Sequence, residues 1–123
     1  MIVKKNEKEH FIYIFYKRET FEDFTHLKQM MEKCLCKQTD KRDIIIDFTL
    51  CSIVTTAEIE LLVTMLKKII EASRCLRVIA GAVSFKKIRS TNFLRSPQFI
   101  AYKDHNTFFR EYIYAKNCKG SSE

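Results

Sequence analysis

The chain has 123 residues, 46% of them hydrophobic, which is enough for one buried core but hardly for two. We therefore expect a single domain over residues 1–116 and a disordered tail at 117–123. The uncharged apolar runs stay far below the roughly 18 residues that a membrane span needs, and the charged amino terminus does not resemble a signal sequence. These features exclude a membrane-spanning protein and predict a soluble, cytoplasmic one.

The net charge is +7, but the basic residues are spread along the chain and mixed with 15 acids. This distribution favours a solvated mixed surface over a basic face that binds nucleic acid. The five cysteines lack the spacing of a zinc ribbon or of a disulfide framework. We expect reduced thiols, several of them buried.

The first third of the chain predicts strands and one helix. Residues 2–3 suit a short edge strand that turns at 6–7, and residues 11–16 have the aromatic and β-branched content of a sheet strand. Thr20 is the expected N-cap of a helix whose apolar face ends near Cys34.

The central stretch predicts a buried strand followed by a long helix. Residues 43–48 form a dense apolar run without polar alternation, which is typical of a strand covered on both faces. Thr55 and Glu58 then fit the capping-box pattern, and apolar residues recur at helical spacing over residues 56–72.

The remaining elements repeat this alternation. A strand is expected at 76–80, a shorter helix capped by Ser84, an edge strand at 99–102 after Pro97, and a last helix from about 104–106. Strands separated by helices favour right-handed crossovers. The prediction is an α/β domain with a mostly parallel central sheet of about four to five strands and about four helices.

Motifs for cofactors and metals are missing from the sequence. Only Gly81 and Gly120 are present, so no glycine-rich loop can cradle a phosphate or a dinucleotide. His26 and Cys34 lie two helical turns apart but are two ligands short of a closed zinc site. We expect neither a cofactor nor a bound metal, and no catalytic residue.

Two residues near the central strand are candidates for catalytic chemistry. Cys51, just before the central helix, could gain thiolate character from the helix N-terminus, but no histidine is near it in sequence and a small buried residue is favoured. Asp47, at the end of the strand, is expected to order the following loop rather than to act as an acid.

The basic segment around Lys86, Lys87, Arg89 and Arg95 is the alternative functional candidate. Phe93 lies among these cations, and such interleaving suits base stacking in a small nucleic-acid-binding protein. The competing interpretation is a helix whose apolar side chains hold it on the sheet while its charges are solvated. That interpretation is favoured, so nucleic acid is not the expected partner.

The central stretch resembles the STAS domain, the fold of the anti-sigma-factor antagonists. The resemblance rests on residues 47–49, on 53–59 and on the leucines at 61 and 62, and the order of strands and helices extends it over nearly the whole chain. By register, Thr55 takes the place of the family's aspartate, and Thr56 that of its phosphorylatable serine or threonine. Glu58 and Glu60 stand where two glycines often follow the acceptor.

The resemblance implies a non-enzymatic partner switch or adaptor in signalling and transcription regulation, with Thr56 or Thr55 as the phospho-acceptor. The implied partner is a serine/threonine kinase of the anti-sigma type or another STAS-like subunit. A homodimer is a further alternative. A phosphate at a helix N-terminus is tolerated by the helix dipole, so modification would act on binding more than on folding. The expected contact residues are Leu50, Ser52, Ile53, Val54, Glu58, Ile59, Ser84, Lys87 and Ile88.

Overall fold

The fold is a five-stranded sheet in which the strands follow one another in chain order. The computed structural model describes residues 3–114. The strands are β1 (Val3–Glu7), β2 (Phe11–Tyr16), β3 (Asp43–Asp47), β4 (Leu76–Ile79) and β5 (Phe99–Tyr102). β1 pairs antiparallel with β2, and every other pair is parallel. The predicted mostly parallel α/β sheet is therefore confirmed.

Helices connect the parallel strands and also follow the last of them. They are α1 (Phe21–Leu35), α2 (Thr56–Glu71), α3 (Ala82–Arg89) and α4 (His105–Phe108), with a 3₁₀ turn at Asn92–Leu94 and a π-helical continuation of α4 at Phe109–Tyr114. Each of α1, α2 and α3 joins one strand to the next in the same direction across the sheet. Crossovers of one hand then place all three helices on the same face.

The larger core lies between these three helices and the sheet. Alternate residues of the strands, such as Ile14, Ile46 and Val78, point into it, and Leu62 of α2 and Leu27 of α1 are buried against them. Both faces of β3 are covered, which explains its three consecutive isoleucines. Ile44 and Ile46 face the larger core, and Ile45 is buried on the other face of the sheet.

The opposite face has a smaller, aromatic core. Tyr13, Ile45 and Ile79 of the sheet pack there with Phe108 and Tyr112, which follow β5. The rings of Phe108 and Tyr112 stack with centroids 5.4 Å apart. The last helical segment therefore covers the face that the three crossover helices leave open.

Several predicted boundaries are confirmed and two are corrected. Thr20, Thr55 and the strand after Pro97 stand as predicted. The turn expected at 6–7 is wrong, because β1 continues to Glu7 and the chain reverses where Lys8 N–H donates to Phe11 C=O at 2.9 Å. The cap expected at Ser84 is also wrong, since Gly81 is the N-cap of α3.

The described cysteines differ in exposure. Cys34 and Cys51 are buried, Cys75 is half-buried and Cys36 is exposed. Within residues 3–114, the helices lack the combination of length and apolar character that crossing a bilayer requires. The predicted tail at 117–123 lies outside the described residues.

Candidate functional site at the carboxyl edge of the sheet

The loop that follows β3 begins at a buried carboxylate. Asp47 Oδ1 accepts hydrogen bonds from the N–H and the hydroxyl of Thr49, at 2.9 and 2.6 Å. Its Oδ2 accepts from the Tyr13 hydroxyl at 2.7 Å and lies 2.7 Å from His105 Nε2 at the start of α4. Asp47 therefore orders the loop, as the sequence predicts, and also links it to the helix on the opposite face.

The surroundings of Asp47 favour its ionised form. Burial by itself would raise the pKa of this carboxyl, but the hydrogen bonds from Thr49, His105 and Tyr13 outweigh it and lower the pKa below its ordinary value. A buried acceptor of four hydrogen bonds is a structural anchor, because the four bonds are made together only when β2, the loop and α4 are all in place.

The middle of the loop alternates between buried and exposed side chains. Phe48, Cys51 and Val54 point into the core, while Leu50 and Ile53 point outward with 61% and 53% of their surface exposed. A turn in which Cys51 N–H donates to Phe48 C=O at 2.8 Å fixes the path between them. Apolar side chains are thus held on the outside of an anchored loop.

Helix α3 holds the end of this loop through the backbone of Val54. Ser84 Oγ accepts from Val54 N–H at 2.9 Å, and Lys87 Nζ donates to Val54 C=O at 3.2 Å. Because Ile53 and Val83 are the chain neighbours of these contacting residues, they belong to the same edge of the molecule. Val83 is 69% exposed, so the outward apolar surface includes the first turn of α3.

Helix α2 starts with the predicted capping box. Thr55 Oγ1 accepts from Glu58 N–H at 3.2 Å, and Glu58 Oε1 accepts from Thr55 N–H at 2.8 Å. Thr56 follows as the first helical residue and is exposed. The two threonines therefore differ: the Thr55 hydroxyl is engaged in the cap, and the Thr56 side chain faces solvent.

Glu58 is a second buried carboxylate at this edge. Besides Thr55, it accepts from the hydroxyl of Tyr16 at 2.5 Å and from Arg18 Nη1 at 2.5 Å. Arg18 also donates from Nη2 to Ile53 C=O at 3.1 Å. Burial by itself would raise the pKa of Glu58, but the hydrogen bonds from Thr55, Tyr16 and Arg18 and the charge of Arg18 lower it.

The structure divides the expected contact residues into two groups. Leu50, Ser52, Ile53 and Lys87 are exposed, whereas Val54, Glu58, Ile59, Ser84 and Ile88 are buried within the chain. The side chains of the buried group face the core or hold the loop, as Ser84 does for Val54 and Glu58 for Thr55. Of the two glutamates Glu58 and Glu60, only Glu60 is exposed.

Cys51 does not have the environment of a nucleophile. Its Sγ lies 3.8 Å from Tyr16 C=O, and burial raises the pKa of the thiol. A raised pKa keeps the sulfur protonated, which removes the activation that a helix N-terminus would supply. The sequence-based preference for a small buried residue agrees with this position.

The basic segment is only partly free. Lys86 and Arg95 are exposed, but Lys87 is bonded to the loop and Arg89 packs over the ring of Phe85, 5.5 Å from its centroid. Phe93 is 78% exposed. Within the described residues, no group of three or more His, Cys, Asp or Glu side chains forms a metal-binding cluster.

Sequence reasoning missed Tyr16, Arg18 and His105. Tyr16 ends β2 and Arg18 follows two residues later. The carboxyl ends of adjacent parallel strands lie at one edge of a sheet, so a buried glutamate at the start of α2 could have pointed to them. His105 had no such signal, because it reaches Asp47 only through the packing of α4 across the second face.

Comparison with family models, with curated proteins and with solved structures finds no match to this chain. The resemblance to the STAS domain therefore rests on the sequence of the central stretch and on the order of strands and helices.

Proposed function

We propose that this chain is a regulatory protein-interaction domain of the STAS type, a non-enzymatic partner switch or adaptor. The observation that carries the proposal is the anchored loop after β3, which exposes Leu50 and Ile53 directly before Thr56. Covering exposed apolar side chains with a partner costs little desolvation free energy. A loop that is already ordered also loses little conformational entropy on binding.

The docking surface consists of Leu50, Ser52, Ile53, Val83 and Lys87. Its members share the carboxyl edge of the sheet, since the loop and α3 are joined through Val54. Asp47 and Glu58 hold the two ends of the loop, so the surface is presented in one conformation. The partner that the resemblance implies is a serine/threonine kinase of the anti-sigma type or another STAS-like subunit.

Thr56 is the proposed switch. Its side chain is exposed, while the hydroxyl of Thr55 accepts the capping hydrogen bond and would have to give it up on modification. A phosphate on Thr56 would lie at the N-terminus of α2, where it is tolerated. It would also place negative charge beside Leu50 and Ile53, which opposes an apolar contact.

The test begins with phosphosite mass spectrometry on the protein isolated from its own cells under several growth conditions. Phosphate on Thr56 that varies with condition is the expected result. Full peptide coverage without phosphate would remove the switch and leave a constitutive adaptor.

The docking surface is tested by quantitative co-purification of the tagged chain from the same cells. Leu50→Asp and Ile53→Asp should lose the partner that the wild-type chain retains. Phe93→Asp is the matched control, because Phe93 is also an exposed apolar side chain but lies beyond the far end of α3. Loss of the same partner by all three variants, or by none, would contradict the assignment of this surface.

The alternative of a nucleic-acid-binding protein has one observation in its favour, the exposure of Phe93 beside Arg95. It predicts binding of random oligonucleotides that weakens steeply as salt is raised. Anisotropy titrations at low and high salt test it directly, and no binding at low salt would exclude it.

A further inference from the structure

The last strand of the sheet has an open side. β5 is hydrogen-bonded to β4, and no other described strand lies against its outer side. Gln98 C=O accepts from Leu76 N–H of β4 at 2.8 Å, and Tyr102 C=O accepts from Ala80 N–H just after β4 at 3.0 Å. By the alternation of a parallel ladder, Ile100 therefore also faces β4. The N–H and C=O of Ala101 therefore point outward, where an added strand would meet them.

The two edges of the sheet are protected differently. The sequence of β1, VKKNE, contains three charged residues, and that of β5, FIAY, contains none. Edge strands usually carry charges that discourage pairing with another chain. β5 lacks this protection, as expected of an edge that accepts a strand.

A groove of about 410 Å³ runs along this open edge. Its walls include the half-buried Ile100 and Ala101, which offer apolar contacts beside the free backbone groups, and the side chains of Ile88 and Leu94 are buried beneath it. Ile100 faces the second core and Ile88 the first, which places the groove across the edge rather than on one face. This is the geometry that receives alternate side chains of an added strand.

The charge of the groove specifies the occupant. Arg89 and Arg95 also line it, are exposed, and form no ion pair with any residue that the structure describes. A second copy docked on the same edge would bring two such arginine pairs together, and like charges oppose that contact. An acidic segment would instead pair with both guanidinium groups.

We propose that the open edge of β5 binds an extended acidic peptide segment of a partner protein as an additional strand. Main-chain hydrogen bonds to Ala101 supply the pairing, and Arg89 and Arg95 select acidic side chains. This site is separate from the loop after β3 and does not depend on the function proposed for it.

The probe is an octapeptide of alternating valine and glutamate, titrated into the full chain and followed by amide hydrogen exchange and by fluorescence anisotropy. Binding should slow exchange of the Ala101 amide. A peptide of alternating valine and lysine should bind at least about tenfold more weakly, since like charges oppose docking. Equal binding of both peptides, or no binding of the acidic one, would overturn the proposal.

Two variants locate the site. Ala101→Pro removes the outward N–H and is tolerated in an edge strand, so it should abolish binding while Ala101→Ser retains it. Arg89→Gln with Arg95→Gln should weaken binding about tenfold, whereas the same loss of charge through Lys28→Gln with Lys67→Gln should change it less than about twofold. Thermal unfolding checks that each variant is folded.

Other occupants give distinct results, each of which would overturn the proposal. Salt-sensitive binding of a random oligonucleotide, lost in the double arginine variant, without binding of the acidic peptide would assign the groove to nucleic acid. A dimer in sedimentation that Ala101→Pro dissociates would assign the edge to a second copy.

Discussion

The loop after β3 is held at its two ends by two buried carboxylates that work differently. Asp47, at the start, is bonded to hydroxyl groups, a backbone N–H and a histidine. Glu58, at the end, is bonded to a permanently charged arginine as well as to a tyrosine and the helix cap. Only Glu58 is paired with a fixed positive charge, that of Arg18, so the two anchors should respond differently to substitution.

The two anchors also reach different parts of the molecule. Glu58 connects α2 to the end of β2 within the larger core. Asp47 connects the loop through His105 to α4 on the smaller face. A single loop is thus coupled to both faces of the sheet. Loss of the Glu58 anchor should destabilise the larger core, and loss of the Asp47 anchor should destabilise the smaller face.

Removal of Glu58 should have the largest effect. Glu58→Ala leaves Arg18 and the Tyr16 hydroxyl without their acceptor, and each of these hydrogen bonds to the charged carboxylate is worth about 1.5–3 kcal/mol of unfolding free energy. Urea unfolding measures the loss. Glu60→Ala, an exposed change on the same helix, should cost less than about 0.5 kcal/mol.

Similar costs for the two glutamate variants would show that the Glu58 network does not stabilise the chain. In Glu58→Ala, protection from amide hydrogen exchange should be lost mainly in α2 and β2, because these elements carry the network.

Asp47→Asn should have the next largest effect. The amide keeps one acceptor oxygen but replaces the other with a donor that faces the Tyr13 hydroxyl and His105, at a cost of about 1–3 kcal/mol. Hydrogen exchange should become faster in α4 more than in α2. The matched control is Glu111→Gln, an exposed charge removal on the same face. Faster exchange in α2 alone would contradict the proposed link between the loop and α4.

Acidification should weaken both anchors. Folding lowers the pKa of each carboxyl below its ordinary value, 3.8 for Asp47 and 4.5 for Glu58. Their stabilisation is therefore complete above those values and is lost as the pH falls through the folded pKa. Each unit by which a pKa is lowered is worth about 1.4 kcal/mol.

Unfolding curves from neutral pH down to about pH 3 should thus show a decline in the wild-type chain that is shallower in Glu58→Gln. Glu60→Gln, which removes an exposed carboxyl, should decline like the wild type. If Glu58→Gln followed the wild-type curve, the pKa of Glu58 would not be lowered on folding.

Much of this architecture follows from local sequence patterns. The apolar run before Asp47 and the pair Thr55 and Glu58 predicted β3 and the start of α2, because β-branched content and capping act over a few neighbouring residues. The role of Asp47 in ordering the loop followed in the same way, since Thr49 is two residues away.

The long-range partners of the anchors could not be predicted with the same success. Tyr16 and Arg18 are 42 and 40 residues from Glu58, and His105 is 58 residues from Asp47. Such contacts depend on strand order and on the face that each helix covers, which no local pattern specifies. For the same reason the local pattern predicts Ser84 as a cap, although its hydroxyl accepts from the N–H of Val54, 30 residues away.

The smallest expected effect separates the two threonines at the start of α2. Thr55→Ala removes the oxygen that accepts from Glu58 N–H, which should cost about 1 kcal/mol, while Thr56→Ala changes an exposed side chain and should be close to neutral. Thermal or urea unfolding of the two variants measures the difference.

The charge mimic Thr56→Asp should instead affect partner binding. It should weaken binding without loss of stability, since a carboxylate suits the first turn of a helix. Equal destabilisation by both alanine variants would mean that Thr56 also supports the fold, and a modification there would then act on folding as well as on binding.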